Sequence, residues 1–242
     1  MAVSDNRPTT GYRRAALAAG VLIYGLIVLG GVVRITGSGL GCGPSWPMCD
    51  GQWFPPLDLP TLIEIGHRWV AALVTAAVTA LAVVAWRRHR QDGALRKPAT
   101  IALVLLVVQV LLGPVIVKLD LPPGVIVVHL LNAMVLLAVV VIAIMRTIPG
   151  LPLQTVQARH RDNPLVHATA GFGFLVILFG ALVANLNAGL LCLGFPLCQG
   201  SYAPPVVPSA AVHWVHRVLA YTLIALLLLL VVRLEQIGRA HV

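Results

Sequence analysis

The chain has 242 residues, of which 59% are hydrophobic and only 10% charged, and its mean hydropathy is +0.92. A soluble domain of this length carries far more charge, so the composition excludes one and points to an integral membrane protein. The net charge of +9 invites a nucleic-acid reading, but the placement of the basic residues ties it to membrane topology instead.

Six apolar runs are long enough to span a bilayer as helices, at residues 15–33, 64–86, 99–117, 124–145, 165–184 and 211–232. The first follows Arg13 and Arg14 and could pass for a signal peptide. It is long, lacks a small-x-small cleavage site and precedes five further spans, so it reads as an anchor. Thirteen of the seventeen Lys and Arg fall in the N-terminal tail, the 87–97 loop, the 146–161 loop and the C-terminal tail. The alternate loops hold almost none. This is the positive-inside pattern. It puts both termini in the cytoplasm and the loops at 34–63, 118–123 and 185–210 on the outer face of a bacterial plasma membrane. No nucleic-acid partner is expected; membrane lipid is.

The stretch from Gly30 to Arg68 recurs from Gly180 to Arg217. Cys42 matches Cys192, Cys49 matches Cys198 after a one-residue gap, and Pro55-Pro56 match Pro204-Pro205. Eleven residues further on, His67-Arg68 match His216-Arg217. Two Cys, two Pro and a His-Arg pair kept in register mark a tandem duplication. All four cysteines lie in the long outward loops, where disulfides are permitted, so Cys42–Cys49 and Cys192–Cys198 are expected bridges. Two roles stay open for them, a structural staple and redox exchange with a substrate or thiol carrier.

Topology sorts the eight histidines. His89, His160 and His241 lie in basic inner segments and are expected to be solvated. His167 opens the fifth span at its inner end, with an interfacial or packing role. His67, His129 and His216 instead sit one to two turns into spans two, four and six, all entering from outside, which places them at one depth. A polar ring there costs free energy unless it is paired or ligated. Facing imidazoles from two helices of a bundle suit haem iron, whereas zinc wants a tighter ligand group. Arg68 and Arg217, beside two of these histidines, are candidates to pair with haem propionates, with interfacial anchoring as the plain alternative. Glu64 lies three residues before His67 on the same helical face. Its counterpart in the second copy is His213, so an acid is unique to the first half, suggesting chemistry there; a simple interfacial acid is the other reading. Small residues such as Gly30 and Gly113 allow close approach, and Gln109 and Asn132 can hydrogen-bond across helices or orient His129.

The segment VRITGSGLGCGPSWPMCDG, Glu64-x-x-His67-Arg68, His129 opening the fourth span, the second Cys pair and His216-Arg217 together resemble the haem A synthase family, from about residue 15 to 232. The resemblance implies oxidation of the C8 methyl of haem O to a formyl group for terminal oxidases, through two hydroxylations and loss of water. It implies that His67, His129 and Glu64 receive haem O, while His216 holds a haem b cofactor. Glu64 would then stabilise developing positive charge or help deliver water. Implied partners are haem O, haem O synthase, oxidase assembly factors or a second copy of the chain.

The expected fold class is therefore an all-α polytopic membrane protein, a bundle of six transmembrane helices from a tandem four-helix repeat. Residues 1–150 form the first haem module and 151–242 a second, incomplete one of two helices. Family members have eight spans, and the repeat offset puts the partner of His216 at about position 278. The closing IGRAHV matches what an in-frame sequencing adapter encodes, so a truncated gene prediction is expected. Two other functions fit the histidines: a dihaem b-type cytochrome in quinol electron transfer, and a non-enzymatic haem carrier or assembly factor.

Overall fold

The computed structural model describes residues 9–56, 58–148 and 163–239. His160, His241 and most of the 146–161 loop lie outside the described residues, as do the last three positions. Six helices occur in chain order: α1 (Thr10–Ile35), α2 (Leu59–Arg88), α3 (Gly93–Lys118), α4 (Pro123–Met145), α5 (Pro164–Asn185) and α6 (Pro208–Arg239). A 3₁₀ turn, Ala188–Leu190, follows α5, and no strand occurs among the described residues. All six helices are long and apolar enough to cross a membrane, so the protein is an all-α, multi-pass membrane protein.

Each helix runs past the apolar window that marked it in the sequence. The window records only the hydrocarbon crossing, whereas a helix continues until its end groups find other partners. Asp92 begins α3 by accepting from the N–H groups of Ala94 (2.9 Å) and Leu95 (3.3 Å). Asn163 begins α5 by accepting from Leu165 N–H at 3.0 Å. Proline in the first turn of α2, α4 and α5 needs no partner for an N–H it lacks.

The chain divides into two compact units, Met1–Leu151 and Pro152–Val242. In the first, α1 packs on α2 and α4, and α3 packs on the same two, which closes a four-helix ring. Its middle is filled by Ala19, Ile23, Val74, Val78, Ala102, Leu106, Leu136 and Val140. One end is dominated by small residues, Ala16, Ala85, Ala99 and Ala143, packed around Tyr12 and Leu81. Small side chains let helices approach where lipid offers no hydrophobic driving force.

Several polar groups inside this ring are paired. Tyr12 Oη donates to the Leu95 carbonyl at 2.8 Å, and Asn132 Nδ2 donates to Gln109 Oε1 (2.7 Å) and to the Leu105 carbonyl (3.0 Å). Of the two roles expected for Asn132, the cross-helix hydrogen bond is the one seen. His89 departs from expectation. It is not solvated but 2% exposed, because it caps the C-terminus of α2 and packs edge-on against Tyr12, ring centroids 5.8 Å apart.

In the second unit α5 and α6 pack together, with the 3₁₀ turn touching both. The most apolar 18-residue stretch of α6 buries none of its residues, whereas Ala210 in its first turn is buried.

Candidate functional site

The site in the first unit is built at the start of α2, where the 36–58 loop folds back onto the helix. Gly41 is the closest point of approach. A Cβ there would stand 2.6 Å from the Pro60 carbonyl, so only glycine lets the loop backbone rest on the helix end. Thr61 Oγ1 donates to the Gly41 carbonyl at 2.7 Å. Cys42 and Cys49 are joined by a disulfide, are both fully buried, and pack on Ile65. Leu121, between α3 and α4, packs on Gly39 of the same loop, so the two connections preceding α2 and α4 lie at one end of the ring.

Glu64 is 5% exposed and both its oxygens are engaged. Oε2 accepts from the Cys42 N–H at 2.7 Å, and Oε1 pairs with Arg68 one turn later. A carboxylate holds about four acceptor positions, so Glu64 retains capacity for a further donor. Arg68 Nη1 reaches three loop carbonyls, Ser45 (2.8 Å), Pro47 (3.2 Å) and Met48 (2.8 Å).

His67 lies about two turns into α2, and His129 slightly less far into α4. Because both helices start from the same end of the ring, the two imidazoles come to similar depth. His67 packs on α1 at Gly30, where a Cβ would stand 3.4 Å from Nε2. Nδ1 of His129 is buried without a hydrogen-bond partner.

The second unit repeats this construction locally. Cys192 and Cys198 form a disulfide and are nearly fully buried. The turn after each second cysteine is the same. Cys49 bridges Gln52 and Cys198 bridges Ser201, with left-handed backbone at Asp50-Gly51 and at Gln199-Gly200. His216 stands about two turns into α6 and packs on Gly180 of α5, and its buried Nδ1 also lacks a partner. Arg217 donates to the carbonyls of Cys192 (2.6 Å), Gly194 (2.6 Å) and Leu197 (3.0 Å). Where the first unit has Glu64, His213 accepts from Arg217 Nε through Nε2 (3.3 Å), which leaves Nδ1–H to donate to the Ala188 carbonyl at 3.0 Å.

Glu64 and the Cys42–Cys49 loop thus come together at the start of α2 with His67 one turn on, and the Cys192–Cys198 loop comes onto α6 beside His216. The two arginines come with them but bond to loop carbonyls. His213 was noted only as the residue standing opposite Glu64, and its part in holding the loop went unseen. The repeat alignment carried that signal, since His213 and Arg217 keep the four-residue spacing of Glu64 and Arg68.

The residues fit a haem group. The buried Nδ1 atoms of His129 and His216 take nothing from the protein, a costly state in an apolar bundle that a bound ligand relieves. Glycine at Gly30 and Gly180 keeps the space beside the imidazoles free of side-chain bulk.

Comparison with known proteins agrees with the architecture. The family described as COX15-CtaA, cytochrome oxidase assembly protein, matches residues 13–60 and 58–241. The chain is 33% identical to the heme A synthase of Alkalihalophilus pseudofirmus, over 88% of this chain and 72% of that protein. It is 32% identical to the heme A synthase of Shouchella clausii, over 91% of this chain and 75% of the relative. The heme A synthase of Geobacillus kaustophilus is also 32% identical, over 82% of this chain and 64% of its own length. With a family match running nearly end to end over six apolar helices, the chain belongs to the COX15-CtaA family of cytochrome oxidase assembly proteins.

Proposed function

We propose that this protein is a haem A synthase, an oxidoreductase that converts the C8 methyl of haem O to a formyl group. In this reading residues 1–150 form the module that receives haem O, between His67 and His129. Residues 151–242 contribute to a second module, in which His216 is a ligand to haem b. Both termini face the cytoplasm and the disulfide loops face outward from a bacterial plasma membrane, as the basic residues indicate.

The observation that carries the reading is the pair His67 and His129. The two imidazoles stand at similar depth on helices that face each other across the ring, and one has a buried nitrogen that no protein group satisfies. Haem b, when bound, supplies a one-electron redox centre. The chain's own residues position the substrate and shape the field around the reacting carbon. His67 and His129 fix the macrocycle between α2 and α4. Glu64, one turn from His67, sets a buried negative charge beside that site. Conversion of methyl to formyl with water as the oxygen source (CH3 + H2O → CHO + 4 H+ + 4 e−) passes the electrons to an external electron acceptor and the protons to solvent, and positive charge develops on the carbon as its electrons leave. A fixed carboxylate stabilises that charge and can accept a hydrogen bond from an incoming water. Because Arg68 and the Cys42 N–H already hold it, Glu64 needs no reorganisation to do so.

The test is to express the full chain in membranes that contain haem O but no haem A, then extract and separate the pigments. Haem A is the expected product. Unchanged haem O with haem b as the sole bound pigment would overturn the reading and leave a dihaem electron-transfer cytochrome.

A further inference from the structure

Arg68 and Arg217 each follow a histidine of the candidate site by one residue, and each spends its guanidinium on a disulfide-closed loop. Arg68 takes three carbonyls, of Ser45, Pro47 and Met48, all between Cys42 and Cys49. Arg217 takes the carbonyls of Cys192, Gly194 and Leu197, from the Cys192–Cys198 loop. We propose that these arginines are positioning residues: each straps its loop to the helix that carries the adjacent histidine, and Arg68 thereby also fixes the Glu64 carboxylate. The first part stands on the geometry alone. The second rests on the proposed role of Glu64 in haem O oxidation.

The chemistry of the loops calls for such a strap. A turn closed by a six- or seven-residue disulfide has carbonyls that no helix or sheet ladder can satisfy. The guanidinium fork presents five donors in fixed directions and matches several carbonyls at once, which the point charge of lysine does not. All three nitrogens of Arg217 are engaged, and Arg68 adds Glu64 to its three carbonyls. A bidentate propionate would have to displace those bonds. The strap is also built twice at the same place. The residue four positions earlier completes it each time, as an anion in the first unit (Glu64) and as a neutral ring in the second (His213).

The consequence is that the loop, the carboxylate and the start of the histidine-bearing helix move as one body in the first unit. Glu64 holds the Cys42 N–H, Arg68 holds both Glu64 and the far side of the loop, and His67 sits between them in sequence. Loss of Arg68 frees the loop and leaves the carboxylate held by a single backbone donor.

The test uses the full chain in membranes, with each disulfide followed by maleimide labelling during exposure to a mild reductant. Cys42 and Cys49 are fully buried, so their reduction reports opening of the loop. Arg68→Gln is expected to speed reduction of Cys42–Cys49 by roughly tenfold or more, from the loss of several charge-assisted hydrogen bonds, and to leave Cys192–Cys198 unchanged. Arg217→Gln should do the reverse. Arg68→Lys keeps a charge beside Glu64 without the fork and should show most of the same acceleration; it supplies the same readout if the Gln variant fails to accumulate. In haem O conversion, Arg68→Gln should lower kcat while KM stays within about twofold. Unchanged reduction rates, or a raised KM with kcat intact, would overturn the proposal and make Arg68 a propionate anchor. If the unsubstituted chain makes no haem A, the proposed function falls while the disulfide rates still decide the strap.

Discussion

A Cβ on Gly180 would stand 3.0 Å from Cε1 of His216, so this imidazole lies directly against bare backbone of the neighbouring helix. His67 and Gly30 repeat the arrangement with slightly more room, at 3.4 Å from Nε2. Glycine costs helix stability, and its presence at both equivalent positions is explained by the ring it admits. Gly180→Ala is therefore expected to displace His216, at a packing cost of about 1–3 kcal/mol, and to weaken haem binding in the second unit. Gly30→Ala should act in the same direction on His67 but less strongly. Haem titration followed by absorbance checks the ranking; equal effects would mean that the glycines do not set the ring positions.

Replacing His67 or His129 by Ala is expected to abolish haem A formation while haem b remains bound. Each substitution removes one of the two imidazoles proposed to receive haem O and leaves the sequence of the unit that carries His216 unchanged. Pigment extraction from purified variants separates the outcomes. Haem A recovered from either variant would remove these residues from the substrate site.

Much of this was legible in the sequence because duplication supplied an internal control. His67 and His216, the cysteines and the helices were all fixed by register and hydropathy, and a bilayer makes hydropathy an unusually reliable guide. The fate of the arginines was not legible. Sequence gives the spacing of Arg68 from Glu64 but not the backbone carbonyls it meets, because those depend on how the Pro- and Gly-containing loop folds back over α2. His89 was hidden for a related reason. Its neighbours Arg87, Arg88 and Arg90 mark a solvated segment, yet the helix end turns this one ring inward onto Tyr12.

Glu64 has two separable duties, holding the loop and presenting negative charge, and one substitution distinguishes them. Glu64→Gln removes the charge but keeps an oxygen that can accept from the Cys42 N–H, while Arg68 keeps its three loop carbonyls. The variant is expected to keep the Cys42–Cys49 loop protected from reductant and the haem spectrum nearly normal. Turnover should fall by about two orders of magnitude, the scale of losing a positioned electrostatic or acid–base group. Glu64→Ala should lower turnover equally and also loosen the loop, since the Cys42 N–H and Arg68 both lose a partner. Retained turnover in the Gln variant would take the carboxylate out of the mechanism.

The hydrogen bond between Asn132 and Gln109 ties α4 to α3 close to His129, three residues before Asn132 on the same helix. In an apolar bundle such bonds contribute about 0.6 kcal/mol on average and up to about 1.7 kcal/mol, because the unfolded chain in lipid also finds partners. Asn132→Leu is expected to destabilise the first unit by about 1 kcal/mol, leaving Gln109 Oε1 without its donor. Gln109→Leu should cost a similar amount. The double substitution should cost less than the two losses added, because neither partner is then stranded. Thermal unfolding of all four proteins in one detergent measures the coupling. If the losses simply add, this bond does not hold the helices together, and His129 owes its position to packing alone.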